Sequence, residues 1–545
     1  MRMRLGLVAA GVVLAACGGG GPVPHTGVPS GDLVAFLEMG DTGVAARLWV
    51  SDASGAALRD VSPPASGTWC GVDEGFSWSP DRSHLLFRSK GSPTLPYRTY
   101  VLAAGASTAT PVDDGDPTLD HDDEAWSPDG SRFAFVGYDA VADASTLFVA
   151  PADGGPALAV SPTVPAGFAG VISFLWAPTG DRLMFSGEFL ELDRDDVWTV
   201  SPDGGGALMV SPVADPGLPG VDRFGDRAWA PDGSKVLFRA SYLHFGQYDV
   251  CVVGWDGSGF DVLSDGTKYD SVWDLKVSPD GSRVAFRART AKQGFTDIID
   301  LFSVPLAGGA TIELADALTL GADEVSWRYE WAPDGARIAF ETTDELDALH
   351  DANALHTVDG AGGALVTLAV PGGGFQLLGT SAFAWSPDGS RIAFGLRVDD
   401  PQDGIEEHVV LATGTGALLE ELEPAPMIGN TRAEELVWSP TSAAFVVRFD
   451  LNFGGSPSHY YQQVYDRGTG EWRLLGGFAY ELLERGAGWS ADGSAVVVTG
   501  GPPVSGPGDT EYGVRRTSAL GVPLVPLTDV TAATPAVFAY DLAVR

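Results

Sequence analysis

Acidic side chains recur just ahead of a repeated aromatic residue: Asp73 and Glu74, Asp122, Asp123 and Glu124, Asp226, Asp270 and Asp274, Glu330, and Glu434 with Glu435. Carboxylates brought together focus a negative potential, and such a rim would hold a cation or a basic segment of a partner. The densest run, residues 113–124 (DDGDPTLDHDDE), alternates Asp114, Asp116, Asp120 and Asp122, and calcium favours several carboxylates on a flexible loop. Leu119 and Ala125, however, stand where an EF-hand loop starting at Asp114 needs Gly and Glu. Calcium is therefore carried as the one cofactor the residues would accept, against plain solvated charge. His350 and His356 share an insertion with Asp344, Asp347 and Asp351, which reads as a metal group or as a solvated loop. There is no Gly-x-Ser-x-Gly elbow, His-Glu-x-x-His, P-loop or Cys-x-x-Cys, so no catalytic residue is assigned.

Charge narrows the partners. Lys plus Arg number 33 against 72 Asp plus Glu, a net of −39 over 545 residues. Such a surface repels nucleic acid and anionic headgroups and favours cations or basic partners; solubility alone is the plainer account. Besides Cys17 there are only Cys70 and Cys251, too few for a disulfide framework and expected as two separate small apolar side chains.

The N-terminus reads as a processing signal. Arg2 and Arg4 precede an apolar run over residues 5–16 that is too short to span a bilayer. It ends in Leu14-Ala15-Ala16-Cys17, which resembles the lipobox of bacterial lipoproteins. The resemblance implies cleavage after residue 16, lipid on Cys17, and a Gly/Pro tether over 17–28, with an ordinary secretory signal as the alternative. It implies a protein of the bacterial cell envelope, touching the membrane only through its anchor. Gly18 in place of the retaining aspartate favours the outer membrane.

Positioning the acids is the task of a repeat. WSPDGSRFAF at 126–135 returns as WSPDGSRIAF at 385–394, and aligned copies begin at Trp78, Trp126, Trp176, Trp229, Val277, Trp331, Trp385, Trp438 and Trp489. These stand 48 to 54 residues apart, the period of a solenoid or propeller. Ser-Pro-Asp-Gly suits a type I turn with Gly supplying positive φ, and the alternating Arg-Ile-Ala-Phe reads as a strand, so each copy predicts a hairpin. Its Asp is expected to cap the turn and its Arg to face solvent. Two weaker strands follow in each period, giving four antiparallel strands: one propeller blade, with Trp and Phe packed between neighbours.

The motif resembles the WD40-like repeat of TolB-type β-propellers, over residues 29–545. The resemblance implies an all-β propeller of about ten modules, one closed ring or two smaller ones, with the terminal strand 535–544 completing the first module. Long insertions at 186–196, 341–353 and 397–407 would add recognition surface. The expectation is a monomeric scaffold binding an envelope protein or glycan. The alternative is a propeller enzyme, a lyase or hydrolase on sugars or lactones, using calcium at the channel mouth.

Overall fold

The computed structural model describes residues 33–38, 47–52, 59–63, 71–92, 94–192, 194–213, 220–222, 225–243, 247–264, 269, 271–292, 295–316, 324–343, 354–368, 376–400, 404–422, 432–450, 459–479, 487–489, 492–493, 495–499, 514–518, 525–526 and 542–544. Every element is a strand, and the fold is an all-β propeller of antiparallel four-stranded blades. Eight sheets form among the described residues; two are eight-stranded, each made of two four-stranded units joined by one parallel pairing (Ser145↔Gly170, Ile299↔Glu324), and with those units taken separately the blades are numbered 1 to 10 in chain order. Blade 3 is representative: inner strand Asp120–Trp126, second strand Arg132–Asp139, third strand Ala144–Pro151 and outer strand Leu158–Ala159. The last strand, Leu542–Val544, pairs antiparallel with Leu33–Glu38 through Val34↔Val544 and Phe36↔Leu542, and so supplies the inner strand of blade 1. It also touches the inner strands of blade 10, Ala487–Trp489, and blade 2, Gly71–Trp78.

The repeated letters build one hairpin each. In blade 3, Gly130 N–H donates to Ser127 O at 2.9 Å and Ser127 N–H to Arg132 O at 2.8 Å. Asp129 accepts Ser127 Oγ and the Ser131 amide, at 2.7 and 3.0 Å, and these bonds hold its pKa below the ordinary carboxylate value despite some burial. The turn glycine is conformationally required: Gly335 has φ +73°, and a Cβ there would meet Asp280 Cγ of the preceding blade's turn at 2.7 Å. Gly335→Ala is expected to cost about 1–2 kcal/mol by chemical denaturation. Blade 9 has Ser442 at this position with φ 58°, and its hydroxyl accepts the Asp388 amide of blade 8 at 3.1 Å.

Packing happens between blades. Nine apolar clusters each join residues of two consecutive blades. The hairpin tryptophans complete these seams: Trp126 donates its indole N–H to Ser77 O, Trp176 to Ala125 O, Trp331 to Lys276 O, and Trp438 to Ala384 O, at 3.0–3.2 Å. Each acceptor immediately precedes the matching hairpin position of the neighbouring blade, so one repeated residue type locks one repeated angle.

Arg132 faces solvent as expected and pairs with the exposed Asp203 at 2.6 Å, but the hairpin arginines of blades 6 and 7 depart from expectation. Instead of facing water, Arg283 donates to Ser303 Oγ at 3.0 Å and Arg337 to Thr357 Oγ1 at 3.1 Å, both on third strands. Those hydroxyls donate onward to Gly360 O and Gly414 O of the next blade, each at 2.6 Å. The arginine thus satisfies an acceptor that would otherwise be buried at the outer seam.

Candidate functional site: the bulged inner strands

Inner strands do not pair evenly with their hairpin partners. In blade 2, Val72↔Ser89 is followed by Phe76↔Phe87; in blade 3, Asp122↔Val136 by Ala125↔Ala134; in blade 6, Trp273↔Arg287 by Lys276↔Ala285; in blade 7, Val325↔Thr342 by Tyr329↔Phe340. Blades 4, 8 and 9 carry the same irregularity, and blade 5 replaces it with an excursion between Val221 and Arg227. A bulge leaves extra residues unpaired and re-aims their side chains. In blades 2, 3, 6 and 9 it falls on acids, whereas the bulges of blades 4, 7 and 8 hold none and Glu330 pairs evenly with Ala339. Asp123 and Asp274 pass through it with φ of 55° and 52°, a conformation that costs a non-glycine residue and persists where surrounding contacts enforce it.

The first cluster gathers on Arg88, from the second strand of blade 2 (His84–Lys90). Its guanidinium pairs with Asp73 and with Asp122, reaches Glu124 at 3.3 Å, and donates to His121 O of blade 3 at 2.9 Å. Three carboxylates therefore share one cation across a blade seam. Burial pushes Glu124 up to about 7, against the attraction of Arg88 and a hydrogen bond from Thr99 Oγ1 at 2.9 Å. Burial, reinforced by Asp122, also raises Asp123. Between its ordinary 4.5 and about 7, Glu124 holds a proton in the folded state that the unfolded chain has released, so its contribution to stability falls as pH rises through that window. Glu124→Gln is expected to stabilise the protein by about 2 kcal/mol at pH 8, an advantage that vanishes by about pH 4.5.

A second cluster spans blades 5 to 7. Asp226 accepts the Leu275 amide at 3.1 Å, and Asp274 pairs with Arg287 at 2.6 Å. Lys276 Nζ donates to Tyr329 O of the next blade at 2.6 Å, and Tyr329 returns its hydroxyl to Asp274 O. Burial raises Asp226 and Glu330 and lowers Lys276. On blade 9, Glu435 lies 3.8 Å from Arg448 and Glu434 3.8 Å from Arg432. The rim is thus three local groups with their own cations. Asp270 and the side chain of Glu74 lie outside the described residues.

The arginines were missed in the sequence although a signal was present: Arg88, Arg239, Arg287 and Arg448 each stand at the fifth position of the run that forms the second strand, in HLLFR, KVLFR, RVAFR and AFVVR. Arg239 repeats the plan of Arg88, pairing with Asp222 and donating to Val272 O of the next blade at 3.1 Å.

Other sequence candidates take structural parts. The acids of 113–124 disperse: Asp114 is bound by Arg98 at 2.7 Å and His121 at 2.8 Å, Asp116 caps Thr118 at 2.9 Å, and Asp120 accepts the Tyr97 amide at 2.7 Å. His356 is a core residue of blade 7 stacked on Phe340, between the hydroxyls of Thr342 and Thr367. His350, Asp344, Asp347 and Asp351 lie outside the described residues, as do Cys17 and Cys70. Cys251 is a free, buried thiol whose pKa burial raises well above the ordinary value. Among the described residues, one group of three carboxylates has ligand oxygens within 4.8 Å of one another: Asp300, Glu313 and Asp316 of blade 6. It could hold a divalent cation. The residues 397–407, read as a loop, instead belong largely to the long hairpin Ile392–Asp400 and Gly404–Ala412.

No family model matches the chain, and neither does any curated protein. Among solved structures it is similar to a eukaryotic initiation factor, with 13% identity over 84% of this chain and 98% of that one at a TM-score of 0.49. It is similar to a putative TolB from Agrobacterium tumefaciens, with 20% identity over 52% of this chain and 88% of that one at 0.27. For an oligogalacturonate lyase from Vibrio parahaemolyticus the figures are 14%, 70%, 96% and 0.36. The fold itself is read from the sheets: an all-β propeller of four-stranded antiparallel blades.

Proposed function

We propose that this chain is a lipid-anchored, extracytoplasmic β-propeller that binds a partner, a protein or a glycan of the bacterial envelope, over its bulged inner strands. The observation that carries the reading is that the bulges of blades 2, 3, 6 and 9 fall on acids, Asp73 and Glu74, Asp123 and Glu124, Asp274, and Glu434. A fold needing only stability would pair these strands evenly, whereas bulges at one radius present many side chains to one occupant. The Arg88 cluster retains more carboxylates than cations, which suits a cation or a basic side chain. Cys17 would anchor the protein.

Three measurements test this. Calcium should raise the melting temperature of the wild-type protein, and Asp122→Asn with Asp123→Asn should abolish the shift. A photo-cross-linker replacing Asp122 in intact cells should give an adduct of one discrete mass; no adduct in any growth condition would sink the scaffold. Cys17→Ser should release the protein from the membrane fraction. A second reading, an enzyme acting on a sugar or lactone, would draw on Lys276, whose Nζ crosses the seam to Tyr329 O beside Glu330. Turnover of such a compound, lost in Lys276→Met, would establish it.

A further inference from the structure

The second-to-third-strand tips of blades 2 to 5 share an unusual feature. Each displays an aliphatic side chain to water: Leu95 is 53% exposed, Val141 98%, Leu190 and Leu192 57% and 59%, and Leu243 55%. Scattered exposed aliphatics mean little, but these occupy the same connection in four consecutive blades. Named contacts hold the described residues of two of these tips. Asp139 caps the Val141 and Ala142 amides at 2.7 and 3.1 Å, and Tyr138 Oη donates to Asp143 at 2.7 Å. In blade 4, Phe189 is buried in contact with Phe185 and Trp198, which fixes the loop that turns Leu190 and Leu192 outward.

Strand register sets the face. Gly71↔Lys90 and Ser89↔Arg98 put Leu95 at the same end of blade 2 as Asp73. Asp120↔Tyr138 and Asp139↔Ala144 put Val141 beside the Asp122 end of blade 3. Gly170↔Glu188 and Gly220↔Ser241 put the tips of blades 4 and 5 at the corresponding end, although the inner strand of blade 4, Gly170–Trp176, carries no acid. Aliphatic tips therefore stand on the face that carries the acidic bulges, among the exposed Asp143 and Glu191.

The geometry points to a protein-docking face on blades 2 to 5, whose occupant presents Lys or Arg amid aliphatic or aromatic side chains. This rests on the scaffold reading above and names its partner. The tips project outward and are spread over four blades, which suits a broad macromolecular surface rather than a small ligand. A second copy of the chain is disfavoured by its own net charge of −39, and an anionic membrane by the same acids.

The test uses the full chain and two 20-residue peptides, one alternating Lys and Leu and one alternating Lys and Ser. Wild type is expected to bind the Lys-Leu peptide about tenfold more tightly, the worth of burying one or two aliphatic side chains. Val141→Ser with Leu190→Ser and Leu192→Ser, all exposed and so harmless to folding, should erase that preference and leave Lys-Ser binding unchanged. Equal affinities in wild type, or a preference that survives the triple variant, would overturn the proposal. So would wild-type binding to phosphatidylcholine vesicles that the variant loses, which would assign the tips to a bilayer. Asp122→Asn with Asp123→Asn should weaken both peptides alike. If it weakens neither while the tip preference persists, the acidic rim fails and the docking face stands.

Discussion

Replacing Arg88 with methionine is expected to lower stability at pH 8 by about 3–5 kcal/mol, the effect of removing one partner from a buried ion pair. Three carboxylates, Asp73, Asp122 and Glu124, lose their shared cation, and the His121 carbonyl loses a donor. Methionine preserves most of the side-chain volume, so the loss reports charge rather than a cavity. The deficit should shrink as pH falls into the ordinary carboxylate range near 4, because protonated acids no longer repel one another. The same pairing raises the pKa of Arg88 above its ordinary value, against its burial. Urea titrations of both proteins at pH 8 and pH 4.5 check this; a deficit that is independent of pH would mean that Arg88 acts through packing alone.

Two buried histidines should dominate the acid limb. Burial depresses His121 and His356 from 6.5 to about 4. For His121 the hydrogen bonds explain why protonation is resisted: the Thr99 amide donates to Nδ1 at 3.1 Å, which leaves Nε2 to donate to Asp114 at 2.8 Å. A second proton would set one N–H against another. A base with a depressed folded-state pKa adds stability that is complete above pH 6.5 and is lost as pH falls toward 4, because the unfolded chain takes up protons that the native state refuses. Each histidine accounts for about 3 kcal/mol of that slope. His121→Gln with His356→Gln should be less stable at pH 7.5, through lost packing, yet change with pH by about 6 kcal/mol less between 6.5 and 4. Denaturant unfolding across that range provides the measurement. Glu124 slopes in the opposite sense below pH 7, so the histidine variant is best compared in the Glu124→Gln background.

The blade was legible because its information is local. Ser127, Pro128, Asp129 and Gly130 define a turn whatever surrounds them, and the alternation of Arg132 to Phe135 defines the strand that follows. Trp126 was read correctly as a residue between blades, since a large aromatic beside a turn that recurs at a fixed period must pack against the next copy. The expectation that strand 535–544 completes the first module rested on a missing inner strand, and the pairing of Leu542–Val544 with Leu33–Glu38 supplies one.

The acids show where local information ends. Asp114 and Asp122 stand eight residues apart in one run, yet Asp114 is buried against Arg98 and His121 while Asp122 lies at the rim with Arg88. Nothing in their side chains distinguishes them. Their roles depend on which strand faces them and on whether the pairing there is even or bulged. A bulge is a mismatch between two strands and has no existence in either one alone. By itself the sequence determined the hairpins, their repeat, the antiparallel blades and the tryptophan seams. Only the tertiary structure decided which carboxylates meet an arginine and which face the aliphatic tips share, because both depend on register across strands and seams far apart in the chain.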